Sequence, residues 1–106
     1  MAPKRKRVRQ IPSTEVQGEG SWVIVAMMTV AEIRESRKAS KAKGADRFEL
    51  SVAVLKSHVM EWNWVDDDGN PLPQPKDDPS VIDRLVEFET VFLGTAIAGS
   101  DNDTKN

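Results

Sequence analysis

Asp66, Asp68 and Asn70 are the oxygen-bearing side chains whose spacing comes nearest to a chemical site. Counted from Asp66, they fall on the first, third and fifth positions of a calcium-binding loop. The sixth position of such a loop must be a glycine that makes the sharp turn, and here it is Pro71, with Gly69 one residue off. The twelfth position is Asp77, not the bidentate Glu that closes the coordination sphere. The stretch therefore reads as an acidic turn, and no metal is expected. His58 is the single histidine, and Glu61 beside it completes neither a ligand set nor a base–nucleophile pair. It reads as an exposed or core-edge histidine. With no cysteine, disulfides and thiolate metal sites are excluded. The sequence holds no glycine-rich phosphate loop, no H-E-x-x-H and no nucleophile elbow, and spacing singles out no pair among its 17 Asp and Glu. The expectation is a non-enzymatic protein without catalytic residues, metal or cofactor.

Binding chemistry is better represented. Lys4, Arg5, Lys6, Arg7 and Arg9 form a basic start that suits phosphate contact, since each cation can displace a condensed counterion. No aromatic side chain is interleaved for base stacking, which favours a solubilising arm over a nucleic-acid site. A second cluster, Arg34, Arg37, Lys38 and Lys41, has helical spacing and makes one basic face, read as solvated or facing an acidic partner. The whole chain is polarised: residues 1–47 carry a net +6 and residues 48–106 a net −8, within an overall −2. Two solvated ends of opposite sign is the plain reading. Self-association of basic end with acidic end, steeply salt-dependent, is the functional one.

The third binding feature is Trp62-Asn63-Trp64, followed by the turn Asp68-Gly69-Asn70-Pro71. In an extended backbone the two indoles share a face, making a paired aromatic anchor for the core or an interface. Pro71, Pro73, Pro75 and Pro79 then keep residues 70–79 extended, near polyproline II.

These features need elements to hold them. Trp22 to Met28 is rich in β-formers and predicts a strand, with Val8 to Ile11 pairing to it across a loop containing Gly18 and Gly20. Thr29-Val30-Ala31-Glu32 is a capping-box pattern opening a helix over residues 30–43, closed by Gly44. A second helix is expected from Asp46 to about Met60. Phe48, Val52, Leu55 and Val59 line one face of it, and Leu50 and Val54 form a second stripe for core or partner. The alternation Leu50 to Val54 also fits a strand. Asp78-Pro79, or Ser80 with Asp83, starts a third helix reaching from Val81 to Ala98, with Gly99 as its stop. On it Val81, Leu85, Phe88 and Phe92 form one face, widened by Ile82, Val86, Leu93 and Ile97, which is more apolar surface than a small core needs. Trp62, Trp64, Val81, Leu85, Phe88 and Phe92 are therefore the candidate partner-binding residues.

At 106 residues, 39% hydrophobic and 30% charged, the chain allows one domain with a modest core. The expected division is a basic disordered arm over 1–9, a single domain over 10–98 and a disordered tail over 99–106. The fold expected is α+β and mainly helical: an N-terminal β element, then three helices with a Trp/Pro-rich connector. No apolar run is long enough to span a bilayer and no signal peptide is visible, so a soluble, cytoplasmic protein without membrane contact is expected.

The order of these motifs resembles the tail assembly chaperones of long-tailed, siphovirus-type phages. Gly18-Glu19-Gly20-Ser21-Trp22-Val23, then Thr29-Val30-Ala31-Glu32, then Trp62-Asn63-Trp64-Val65-Asp66-Asp67-Asp68-Gly69-Asn70-Pro71-Leu72-Pro73 carry the resemblance, which covers residues 10–98. It implies a protein of the host cell cytoplasm that coats the tape measure protein while tail tube protein subunits polymerise around it, and that is then displaced. It also implies no covalent chemistry, and members of that family are often made in addition as a longer frameshifted product; a homo-oligomer is expected. The basic start at Lys4 to Arg9 departs from the family pattern. It leaves a virion structural role, in the tail or head–tail junction, or nucleic-acid binding as alternatives.

Overall fold

The computed structural model describes residues 7–98. It is an α+β domain, mainly helical, in which helices cover one face of a three-stranded antiparallel sheet. Strands β1 (Val8–Pro12), β2 (Trp22–Ala26) and β3 (Val59–Trp62) lie in the order β1-β2-β3. As the sequence predicts, β1 pairs with β2, with Val8 opposite Ala26 and Pro12 opposite Trp22. Strand β1 starts at Val8, so Arg9 belongs to the sheet and the folded part begins before the expected boundary at residue 10. The link between the strands is not a plain loop. One helical turn, α1 (Thr14–Gln17), fills it, and Gly18 and Gly20 turn the chain at φ 98° and 84°, a region open to glycine at no steric cost.

Alternation decides what β2 buries. Val23 and Val25 point into the core, while Trp22, Ile24 and Ala26 lie half-buried on the other face. Helix α2 (Val30–Lys41) opens on the predicted capping box: Thr29 Oγ1 accepts from the Glu32 amide at 3.1 Å, and Glu32 Oε1 accepts from the Thr29 amide at 2.9 Å. It buries no residue fully, in keeping with its polar composition, and ends two residues before the expected 43.

Helix α3 (Arg47–His58) is capped by Asp46, whose Oδ1 accepts from the Glu49 amide. The expected continuation to Met60 does not occur. At Val59 the backbone becomes extended and the chain enters β3 without a loop. No glycine or proline marks this change. The free edge of β2 supplies it, pairing Val25 with Val59 and Val23 with Trp62 across a bulge, so tertiary context overrides local periodicity.

The proline connector is a strap along β3. Leu72 donates to the Trp64 carbonyl and Lys76 to the Met60 carbonyl, both at 3.0 Å. Between them the Gln74 side chain brackets the backbone of Trp62, accepting from its amide and donating to its carbonyl. Residues 72, 74 and 76 thus make the bonds to β3, and prolines occupy the alternate positions, Pro71 and Pro73 exposed and Pro75 buried.

The expected single helix over 81–98 is two elements. A 3-10 helix covers Pro79–Arg84, with the Asp78 side chain accepting from the Ser80 amide. Leu85 is extended (φ −78°, ψ 155°), and α4 (Glu87–Ala98) begins beyond it. Glu89 makes the break possible by accepting from the Val86 amide at 3.0 Å, which satisfies a donor the new helix end would leave orphaned. The core gathers Val23, Val25, Val52, Leu55, Val59, Trp62, Trp64, Leu72, Val81, Ile82, Leu93 and Ile97. No helix among the described residues is long and apolar enough to cross a membrane. The expected tail at 99–106 and the basic residues Lys4, Arg5 and Lys6 lie outside the described residues.

Candidate functional site

The acidic turn is closed by its own backbone. Asp66 Oδ1 accepts from the amides of Asp68 (3.0 Å) and Asn70 (2.9 Å), and the Asp66 amide donates to the Asn70 carbonyl. Gly69, at φ 82°, supplies the left-handed step. Asp66 is thus engaged in holding the turn that returns the chain along β3. Among the described residues no cluster of three His, Asp or Glu is placed to hold a metal ion. His58 sits at the core edge and is buried. Its Nδ1 lies 2.8 Å from the Val54 carbonyl and from Ser57 Oγ, and its Nε2 lies 3.4 Å from Glu32 Oε1. It ties the end of α3 to the start of α2.

Glu32 is the centre of that tie. The backbone amide of Thr29 and the guanidinium of Arg7, which bonds it directly, hold its carboxyl down to about 2. Arg7 also donates through Nε to the Met27 carbonyl at 3.0 Å. Of the basic residues proposed for phosphate contact, Arg7 is therefore committed to the domain, while Arg9 is exposed on β1. Arg34, Arg37, Lys38 and Lys41 face outward on α2.

Trp62 and Trp64, expected as core or interface anchors, are core. Their rings stack with centroids 4.7 Å apart and planes 6° from parallel. Each indole N–H has a partner: Trp62 donates to the Pro73 carbonyl at 3.1 Å and Trp64 to the buried Ser13 Oγ at 2.9 Å. Ser13 passes the link on to Ser21 Oγ at 2.7 Å, so the indole pair pins strap and β1–β2 link together. At 1% and 0% exposure neither ring offers a surface to a partner. Val81 is likewise buried and Leu85 half-buried. The break before α4 takes these two out of line with Phe88 and Phe92, so the expected four-residue face does not exist. Phe88 is 60% exposed and Phe92 half-buried.

The exposed apolar surface lies elsewhere. Helix α4 buries Glu89, Leu93 and Ile97, and turns Phe88, Val91, Thr95 and Ala98 to solvent. Past Glu89 it carries no charge on any side, and a helix apolar all round is ordinarily buried. Beside it runs a groove of about 630 Å³ between α2, α3 and α4, with Phe48, Leu50, Val54, Val91, Gly94 and Thr95 among its lining. Phe48 is 62% exposed and Val91 59%, and they stand over the groove as unpaired apolar side chains. A second depression, about 460 Å³, continues it between α2 and α3 over Leu50 and Val54. Phe48 was expected to share the core face of Val52 and Leu55; only the latter two are buried. The legible signal for this site was the charge-free run from Thr90 to Ala98. The charged members of the groove lining are Arg47 and Glu87. The arrangement suits the seating of an apolar helix face. In comparison with family models, curated proteins and solved structures, the chain matches none.

Proposed function

We propose that this protein is a phage tail assembly chaperone, a non-enzymatic binder that covers apolar helical segments of the tape measure protein while tail tube subunits assemble. The observation that carries the reading is the mainly apolar groove between α3 and α4, with exposed Phe48 and Val91 among its lining. A volume of about 630 Å³ takes several side chains of an incoming helix. Its small lining residues, Ser51, Gly94, Thr95 and Ala98, permit close approach of that helix. The charged outer face of α2 keeps the free form from self-adhesion on that side. The motif order over residues 10–98 supports the same reading from the sequence, and it names the client class that the groove alone would not. Binding of this kind needs no cofactor and breaks no bond.

The test is co-expression with the tape measure protein of the same phage, followed by pull-down and by mass spectrometry of mature virions. The proposal expects capture of the tape measure protein and no copy of this chain in particles. Capture failing overturns it. Retention in particles overturns it in favour of a virion structural protein.

A further inference from the structure

We infer that two copies of this chain join through the outer edge of β1 into a six-stranded sheet, with α4 of each copy meeting α4 of the other across a two-fold axis at Gln10. The inference is independent of the client proposed above.

Strand β1 has one used and one unused edge. The Arg7 carbonyl accepts from the Met27 amide at 2.7 Å and the Ser13 amide donates to the Ser21 carbonyl at 3.1 Å. Antiparallel pairs alternate between bonded and non-bonded positions, so Arg9 and Ile11 direct their backbone groups to β2. Val8, Gln10 and Pro12 direct theirs outward, and among the described residues nothing pairs with them. The opposite side of the sheet differs. There the strap bonds β3 through the amides of Leu72 and Lys76, and its alternate positions are Pro71 and Pro73, both exposed, and Pro75, which is buried, three residues with no N–H to donate. One edge is closed and one is open, so edge pairing ends at two copies and cannot propagate into a fibre.

The open edge is self-complementary in one register. With Gln10 opposite Gln10 of the second copy, the two exchange both amide–carbonyl bonds. Val8 then stands opposite Pro12 of the second copy, and its amide donates to the Pro12 carbonyl. By symmetry this makes four hydrogen bonds. Sliding to place Arg9 opposite Arg9 sets like charges face to face on the axis. Sliding the other way, onto Ile11, leaves only Gln10 and Pro12 in bonding positions, and proline donates nothing. In the Gln10 register Arg9 faces Ile11 of the second copy, which lines a groove shared with Glu15, so the charges complement.

The helix layer points to the same occupant. The Met28 amide bonds the Ile97 carbonyl, and Gln17 bonds Glu89, so α4 runs antiparallel to β1 and lies along it. Between them is a groove of about 390 Å³ lined by Ile11, Pro12, Phe88, Val91, Phe92 and Ala96. A two-fold axis at Gln10 brings the two grooves together and lays the two α4 helices antiparallel, covering Phe88. The groove beside α3 stays open on the far side of α4.

Sedimentation of the full chain, with crosslinking of single-cysteine variants, tests this. The natural sequence has no cysteine, so each variant reports one position. The expected result is a dimer. In Gln10→Cys the paired Cα atoms lie about 5.5 Å apart, within disulfide reach, so mild oxidation yields covalent dimer. In Val8→Cys the two sulfurs are four residues out of register, roughly 13 Å, and no crosslink forms. Gln10→Lys places two ammonium groups on the axis and should weaken the dimer at least tenfold without changing the circular dichroism of the fold. A monomer at all concentrations overturns the inference. So does a Val8→Cys crosslink as fast as that of Gln10→Cys, or a Gln10→Lys dimer as tight as the natural one.

Discussion

Replacing Gly94 separates what the groove does for stability from what it does for binding. Gly94 lies inside α4 and is not among the glycines with positive φ. A Cβ built there meets nothing within 4 Å. Glycine in a helix interior costs about 0.5–1 kcal/mol relative to alanine, chiefly in backbone entropy. With no clash to offset that gain, Gly94→Ala should stabilise the free protein by about 0.5–1 kcal/mol. For a domain of this size that raises the melting temperature by roughly 2–8 °C. Gly94→Leu has good helix propensity as well, but its side chain projects into the groove beside Val91 and Thr95. It should fold as well as the natural protein and lose capture of the tape measure protein. Thermal and urea unfolding at fixed protein concentration read the first effect, and pull-down the second. A destabilised Gly94→Ala would show that the glycine is needed by the fold itself. A Gly94→Leu that captures the client at the natural level would refute the groove as its seat.

Trp64→Phe removes the indole N–H that Ser13 accepts and part of a stacked, fully buried pair. It should cost about 2–4 kcal/mol in urea unfolding, and a loss under ~1 kcal/mol would contradict the bridging role given to that pair. Thr29→Ala deletes one half of the capping box and should cost about 1 kcal/mol, read as loss of helical signal before global unfolding; no change would mean α2 needs no cap. Glu32 has a carboxyl lowered from 4.5 to about 2, so its contribution to stability is full above 4.5 and is lost as pH falls towards 2. Glu32→Gln should therefore flatten the acid limb of the stability profile in that window, and an unchanged limb would place the acid sensitivity elsewhere.

Local chemistry made some of the fold readable and left other parts hidden. The capping box at Thr29 and Glu32 involves residues three apart, so sequence spacing specifies it and the structure reproduces it. The β1–β2 pairing was readable because β-formers flank glycines that can turn. Strand β3 was not, because Val59 to Trp62 continue the helical spacing of Leu55, and only the free edge of β2 decides between the two conformations. The break at Leu85 was hidden for a related reason. No proline or glycine lies there, and the new start depends on Glu89 reaching back to Val86 and sideways to Gln17, a contact 72 residues distant in sequence.

The same division runs through the candidate site. An apolar excess on the last helix was legible from composition, but its direction was not, since the break rotates Val81 and Leu85 away from Phe88. The two tryptophans looked equally suited to a core and to an interface, because indole serves both. Acceptors at Pro73, across a turn, and at Ser13, distant in sequence, decide for the core. The strap's alternate prolines were legible as extended chain, whereas their role in closing one sheet edge needed the neighbour strand to be known.

Hydrogen–deuterium exchange on the chain with and without the proposed client, a tape measure protein, is the most direct measurement of where that client would sit. Amides of α3 and α4 that border the groove, from Phe48 to Leu55 and from Val91 to Ala98, should gain protection on binding, while the strap over residues 70–76 stays unchanged. Protection confined to the strap or the sheet, with the groove exchanging as in the free protein, would contradict the seat proposed for the client.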